Sequence, residues 1–159
     1  MPNWTTNEVT FSSAKTTNIK KIKEIFEKGS PFNQLIKEPN WKTVPLKGNE
    51  SVNYFKEKPL GKKGELPITE ELKLNNGEVM TLHKFKSTNE QDTRWYSWRC
   101  EKWDTKWDVP KDEIEITEIN NGSIVIGFNT AWCAPYAIYK KLRNKFKDVE
   151  IEWWARDED

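Results

Sequence analysis

The sequence is poor in histidine, in cysteine and in aliphatic residues. Among its 159 residues there are one histidine, His83, and two cysteines, Cys100 and Cys133. A single histidine excludes metal centres built from several imidazoles and most histidine-based proton shuttles. The cysteines are too few for a secreted disulfide framework and too far apart for a C-x-x-C site, so we expect reduced thiols.

Strong charge and long apolar runs are also missing. The 26 basic and 25 acidic residues give a net charge of +1, which argues against a strongly basic nucleic-acid-binding protein and against an acidic nucleic-acid mimic. No apolar run approaches the ~18 residues of a membrane span, and the first residues do not resemble a signal peptide. We therefore expect a cytoplasmic protein without membrane association, folded as a single domain over residues 1–159.

Tryptophan, by contrast, is abundant. The chain has nine tryptophans, although only 35% of its residues are hydrophobic and its mean hydropathy is −0.90. Because aliphatic side chains are scarce, the core must depend on aromatic ones. Four tryptophans lie between Trp95 and Trp107, where Asp92 or Thr93 is expected to cap a helix and residues 103–108 to form the helix end and a loop.

Hydrophobic periodicity predicts secondary structure at both ends of the chain. Near the N-terminus we predict a strand over residues 7–12 and a helix capped by Thr16 or Thr17 and ending near residue 28. The later predicted elements are strands over 112–120 and 123–129 joined by an Asn-Asn-Gly turn, a helix over 135–146, and a strand over 149–153. This order predicts an α+β fold: a ferredoxin-like antiparallel sheet with helices on one face.

A long insertion after the first helix is predicted over about residues 30–91, which hold five of the eight prolines and four of the seven glycines. Within it, residues 65–72 resemble a short capped helical turn and residues 75–77 a tight turn. Residues 15–86 contain fifteen basic and nine acidic side chains, whereas residues 148–159 contain one and six. The near-neutral total therefore conceals a basic middle and an acidic end.

Four short motifs together resemble a known family. They are Met-Pro-Asn-Trp at 1–4, Leu-Pro-Ile-Thr-Glu-Glu-Leu at 66–72, Trp-Asp-Thr-Lys-Trp-Asp at 103–108, and Phe-Asn-Thr-Ala-Trp-Cys-Ala-Pro at 128–135. With these motifs the chain resembles the YubB-type ferredoxin-like proteins of phages, prophages and plasmids. It departs from the family's common Asn, Gly, Ser and Pro at Lys102, Asp104, Cys133 and Ala134. The resemblance implies a mobile-element protein of ferredoxin-like fold with no established general biochemical activity.

Two segments that flank the predicted hairpin are the main candidates for a site. The loop Thr105-Lys106-Trp107-Asp108 precedes the first strand and Trp132 follows the second, so we expect them to converge. They would form either a pocket with aromatic walls, a cation and a carboxylate, or a structural corner in which Lys106 pairs with an acid such as Asp108. The other candidate binding residues are Trp103 and, in the insertion, Trp41, Lys56, Lys58, Lys62 and Lys63.

Motifs for catalysis are missing. The sequence contains no P-loop, no GxGxxG, no GxSxG and no HExxH. Cys133 precedes a predicted helix, whose dipole would lower the pKa of its thiol, but His83 is the one available base and nothing places it nearby. We therefore expect no catalytic residues, no metal and no cofactor.

The favoured hypothesis is a non-enzymatic phage or mobile-element protein that binds a host or defence-system macromolecule. A counter-defence role is suggested by the resemblance alone. The alternative is a nucleic-acid-binding module that uses the basic insertion and Trp41. A Mg²⁺-dependent phosphodiesterase or nuclease built on acids such as Asp104 and Asp108 is the third hypothesis.

Overall fold

The computed structural model describes residues 3–53 and 56–158, and the chain divides into two compact units. The first unit is Met1–Lys37 together with Arg99–Asp159, and the second is Glu38–Trp98. In chain order the elements are β1 (Trp4–Ser12), α1 (Thr16–Glu27), α2 (Pro31–Leu35), β2 (Ser51–Asn53), β3 (Lys56–Pro59), β4 (Ile68–Lys73), β5 (Val79–Lys84), α3 (Arg94–Trp103), β6 (Glu115–Asn120), β7 (Ser123–Ala131), α4 (Tyr136–Lys145) and β8 (Glu150–Asp157).

The first unit is built on a four-stranded antiparallel sheet with the strand order β6-β7-β1-β8. β1 pairs with β7 and with β8 in continuous register, while β6 and β7 form the hairpin predicted around the Asn-Asn-Gly turn at 120–122. The predicted strands and helices of both chain ends are confirmed, with bounds that differ by a few residues. The α+β class is likewise confirmed.

One face of this sheet carries the core of the first unit. Side chains alternate along a strand, so Phe11 of β1 and Phe128 of β7 lie on the same face, and both are buried. Phe26 of α1 packs on that face, with its ring centroid 6.1 Å from that of Phe11 and 5.9 Å from that of Phe128. Tyr139 of α4 meets Trp153 of β8 at 5.9 Å. Aromatic rings thus contribute to the core, but the described buried residues include more Ile, Leu and Val than aromatic side chains, so the expectation of a core that depends on aromatics is not confirmed.

The helix starts follow the sequence only in part. Before α3, the carboxylate of Asp92 accepts a hydrogen bond from the backbone N–H of Arg94, the first helical residue, at 3.2 Å, and the predicted cap by Asp92 or Thr93 stays a prediction. The predicted cap of α1 is wrong: Lys15 occupies the N-cap position without a side-chain hydrogen bond, and Thr16 and Thr17 are already helical. Burial of the apolar stripe, rather than a cap, therefore stabilises α1.

The second unit contains two small sheets, β2-β3 and β4-β5, and a buried cluster of Leu46, Leu60 and Phe85. The expectation of one domain with an insertion stays a prediction. No helix in the described parts of the chain is long and apolar enough to span a membrane.

The predicted helical turn over residues 65–72 is wrong. Residues Ile68–Lys73 form β4, which pairs with β5 in continuous register around the tight turn at 75–77. Gly77 takes a φ of 86°, a conformation that glycine adopts without steric cost. Glu70 bonds Lys84 on the neighbouring strand at 2.9 Å. One acid of the run that resembled a helix start, Glu70, thus has its partner across the hairpin.

Candidate functional site

The two segments predicted to converge do so in the first unit. Thr105 is buried, and its hydroxyl donates a hydrogen bond to the carbonyl of Ala131, at the end of β7, at 3.0 Å. Two residues along, the ring of Trp107 lies 5.8 Å from that of Trp4, centroid to centroid. The loop after α3 is thereby fixed against both central strands of the sheet.

The ammonium group of Lys106 lies between two indole rings. Its Nζ is 4.1 Å from the ring centroid of Trp107 and 4.1 Å from that of Trp132, well inside the range of a cation–π contact. Both rings remain accessible, with 38% of Trp107 and 47% of Trp132 exposed. We call Trp4, Lys106, Trp107 and Trp132 the tryptophan corner.

Trp132 adopts a backbone conformation that is rare for a bulky residue. Its φ is 70°, in the left-handed region, and its backbone N–H donates to the carbonyl of Asn3 at 2.8 Å. Such a conformation costs about 1–2 kcal/mol for an L-residue, and such costs cluster at functional sites. Here the strained backbone holds an indole that is almost half exposed, so core burial alone does not account for it.

Asp108 does not pair with Lys106, as it would in the structural corner that the sequence left as one alternative. Its carboxylate accepts three backbone hydrogen bonds, from Phe32 at 3.0 Å, from Asn33 at 2.8 Å and from Val109 at 2.8 Å. Burial raises the pKa of this carboxyl group, while the three N–H donors oppose that rise. Asp108 therefore fixes the start of the short helix α2, and its role is structural.

Trp103 also lies in the core rather than at a surface. It is 1% exposed, its indole N–H donates to the carbonyl of Ile36 at 2.9 Å, and its ring meets Phe32 edge-on at 6.0 Å. Of the residues between 103 and 108, Lys106 and Trp107 are thus the ones placed to meet a partner.

A cavity of about 180 Å³ adjoins the tryptophan corner. It is lined by Trp4, Trp107, Asp108, Pro110, Glu113, Asn129, Thr130 and Ala131. Its volume suits a single side chain rather than a nucleotide or a cofactor. Of the residues predicted to form a pocket, Trp107 and Asp108 line this cavity, whereas Thr105, Lys106 and Trp132 do not.

The candidates in the second unit are arranged differently. Trp41 is only partly exposed, and its ring contacts Trp98 at 6.4 Å and the guanidinium of Arg94 at 5.1 Å. Its indole N–H is buried without a hydrogen-bond partner among the described residues. Lys58, Lys62 and Lys63 are exposed. Lys56 belongs to β3, but its side chain lies outside the described part of the structure.

Sequence reasoning missed the most apolar surface of the second unit. On one face of the β4-β5 hairpin the cross-strand register brings together five large side chains, which we call the aliphatic face: Ile68, Leu72, Leu74, Met80 and Leu82. The first four are 36–50% exposed. Alternation of residue types with a period of two was the signal that predicts a strand here. Interpreting residues 65–72 as a helical turn led to the opposite prediction.

The chemistry expected of Cys133 is also corrected. Burial and the carboxylate of Asp104 raise the pKa of its thiol, which donates a hydrogen bond to the carbonyl of Asp104 at 2.7 Å. Burial and Asp104 thus favour the neutral thiol, opposite to the effect expected of a nearby helix N-terminus. Within residues 3–53 and 56–158, no three side chains from His, Cys, Asp and Glu are grouped to hold a metal ion.

Comparisons with protein-family models, with curated proteins and with solved structures found no match for this chain.

Proposed function

We propose that this chain is a non-enzymatic, YubB-type interaction protein that binds a host or defence-system protein through its insertion. The aliphatic face of the β4-β5 hairpin is the observation that carries the proposal. Counter-defence inhibition, inside the host cytoplasm, is the biological setting that the family resemblance suggests.

The arrangement of the first unit supports a ferredoxin-like fold. Its sheet order β6-β7-β1-β8, with α1 following β1 and α4 connecting β7 to β8, agrees with a split β-α-β arrangement. In such a fold the insertion after the first helix is additional to the sheet. Loops and insertions on a rigid scaffold commonly carry function.

The energetics of the aliphatic face favour a covered surface. Complete burial of a leucine, isoleucine or methionine side chain stabilises a protein by about 1.5–3 kcal/mol, so covering the exposed parts of four of them would contribute roughly 3–5 kcal/mol. Association has its own entropic cost, which this gain must exceed. Glu70, Glu78 and Lys84 lie on the same face, so the apolar side chains are interspersed with charges. Groups of exposed large apolar side chains rimmed by polar ones are typical of interaction sites.

The same surface favours a protein over a nucleic acid. Nucleic acids are bound through cations that neutralise phosphates and through aromatic rings on which bases stack. The aliphatic face offers neither: its one cation, Lys84, bonds Glu70 on the same hairpin. Lys58, Lys62 and Lys63 are exposed and could contact phosphates, so the test below also measures nucleic-acid binding.

The test is affinity capture with matched hairpin variants. The double substitution Leu72→Lys and Met80→Lys changes a directly paired position on the aliphatic face. Val79→Lys is the control, because Val79 is 53% exposed but lies on the opposite face of the same hairpin. We expect a host protein that is captured by the wild type and by the control and lost with the double variant.

Two results would count against this function. One is capture that the double variant leaves unchanged. The other is recovery of nucleic acid alone, in binding that weakens steeply as salt increases, which would assign the insertion to phosphate contact. Circular dichroism and hydrogen exchange of the hairpin amides in each variant separate loss of binding from loss of folding.

A further inference from the structure

Strand β8 forms one edge of the described four-stranded sheet. It is eight residues long, and its register with β1 is continuous from Thr5↔Asp157 to Ser12↔Glu150. Trp154 is 55% exposed on the sheet face opposite the core, directly across from Glu8 of β1. A long, regular edge strand is a template for pairing with another strand unless it is blocked.

The hydrogen-bond pattern shows which groups of β8 face outwards. The backbone N–H of Glu158 donates to the carbonyl of Trp4 at 2.9 Å, which makes these two residues a hydrogen-bonded pair. Such pairs alternate along antiparallel strands, so the even-numbered residues of β8 bond to β1. The N–H and C=O groups of Ile151, Trp153 and Ala155 therefore point towards the open edge.

We propose that two copies of this chain pair through β8, antiparallel about a two-fold axis at Trp154, to form a continuous eight-stranded sheet. In this register Trp153 lies opposite Ala155 of the second copy, and both belong to the outward-pointing set. Trp154 then meets Trp154 of the second copy in a non-hydrogen-bonded pair. Such pairs bring side chains closest together, and aromatic cross-strand pairs are among the more stabilising ones.

Opposite charges at the centre of the interface favour this register, whereas farther out it places Glu150 opposite Glu158 of the second copy as a like-charge pair. Glu152 and Arg156 lie on the same face of β8 as Trp154, two residues to either side of it. A two-fold axis at Trp154 places Glu152 opposite Arg156 of the second copy, twice over. The exposed tryptophan pair would thus be flanked by two symmetry-related ion pairs.

Strand β6, at the other edge of the sheet, lacks these features. The charged side chains of β6 are Glu115 and Glu118, and the register of β6 shifts between Glu118 and Asn120. Self-pairing of β6 has no cation to place opposite an acid, and an irregular edge resists strand addition. Of the two described edges, β8 is therefore the one suited to a second copy.

Apolar surface continues from β8 onto the helix side of the sheet. A cavity of about 320 Å³ between α4 and β8 is lined by Ala134, Pro135, Tyr136, Tyr139, Trp153 and Ala155. Tyr136 is 56% exposed. The edge thus offers apolar contact on both faces of the strand, beyond the backbone hydrogen bonds.

Charge reversal tests the pairing directly, with mass measured by sedimentation over a range of concentrations. The wild type should approach twice its 18.8 kDa mass. Glu152→Arg alone or Arg156→Glu alone places like charges opposite each other twice and should weaken dimerisation about tenfold or more. The two single variants mixed together, and the double variant carrying both reversals, should each regain the dimer. Glu115→Arg on β6 is the control and should leave dimerisation unchanged.

Several outcomes would overturn the inference. A wild type that stays monomeric at every concentration removes the pairing. A dimer that neither single reversal weakens uses another surface. A double variant that fails to recover, or a mixture that does not associate, refutes the proposed register. Because none of these variants touches the hairpin, capture of a host protein by the aliphatic face can succeed or fail independently.

Discussion

Asp104 combines two stabilising features whose separate contributions substitutions can measure. Its φ is 62°, in the left-handed region, and its carboxylate accepts a hydrogen bond from the backbone N–H of Ala137 at 2.8 Å, in the first turn of α4. Glycine adopts a positive φ without steric cost, and aspartate tolerates it better than most residues.

The expected losses of stability follow from those two features. Asp104→Asn keeps the backbone preference and an acceptor oxygen, so it should cost only about 0.5 kcal/mol for the lost charge near a helix N-terminus. Asp104→Gly removes a hydrogen bond to a charged acceptor and should cost about 1.5–2 kcal/mol. Asp104→Ala loses that bond and adds left-handed strain of about 1–2 kcal/mol, for a total of about 3 kcal/mol.

Urea unfolding followed by circular dichroism measures this order. With a slope of about 2 kcal/mol/M, the alanine variant should unfold at a urea concentration about 1.5 M below that of the wild type, and the glycine variant at one about 0.8–1 M below it. Asp112→Ala, at an exposed acid of the same unit, is the control. If Asp104→Gly lowers the free energy of unfolding as much as Asp104→Ala does, left-handed strain does not contribute to the loss in the alanine variant. If Asp104→Asn lowers it as much as Asp104→Gly does, the contact with Ala137 depends on charge alone.

Two further predictions concern titration. Because burial raises the folded-state pKa of Asp108 above its unfolded value, the native state binds the extra proton, so the contribution of Asp108 to unfolding free energy should fall as pH rises from near 4 through that raised pKa. The urea midpoints of the wild type and of Asp108→Asn, measured across pH 4–7, check this. A wild type that becomes more stable relative to Asp108→Asn as pH rises would contradict it. Cys133, in a Cys100→Ser background, should be alkylated by iodoacetamide at pH 8 several times more slowly than a cysteine peptide, because its thiol pKa is raised. A faster reaction would mean that the helix dipole dominates.

The first unit was predictable because its local signals agree with its tertiary contacts. Alternation in β1, β7 and β8 selects the same side chains that the core buries, and the Asn-Asn-Gly turn fixes the β6-β7 register. In the β4-β5 hairpin the local signals and the tertiary contacts do not agree. Its apolar residues are exposed rather than buried, and an acidic stretch at 65–72 satisfies a helix-start pattern equally well, so local pattern alone could not decide.

The site was predictable only in outline. Convergence of the Lys106 loop with Trp132 follows from their positions on either side of a hairpin. The role of Asp108 does not, because its partners Phe32 and Asn33 lie about 75 residues earlier in the chain. The positive φ of Trp132 is likewise not predictable from composition, and its backbone N–H bonds Asn3, about 130 residues earlier in the chain.

The scarcity of aliphatic residues bears on where the chain places them. A chain with few such residues gains most stability by burying each of them, and its core contains Ile22 and Ile126 beside aromatic rings such as Phe26 and Phe128. The same chain nevertheless leaves Ile68, Leu72, Leu74 and Met80 substantially exposed on one hairpin. These four residues are not part of the buried cluster of the second unit, which consists of Leu46, Leu60 and Phe85. Scarce aliphatic residues placed on a surface rather than in the core are what we expect if that surface binds a protein.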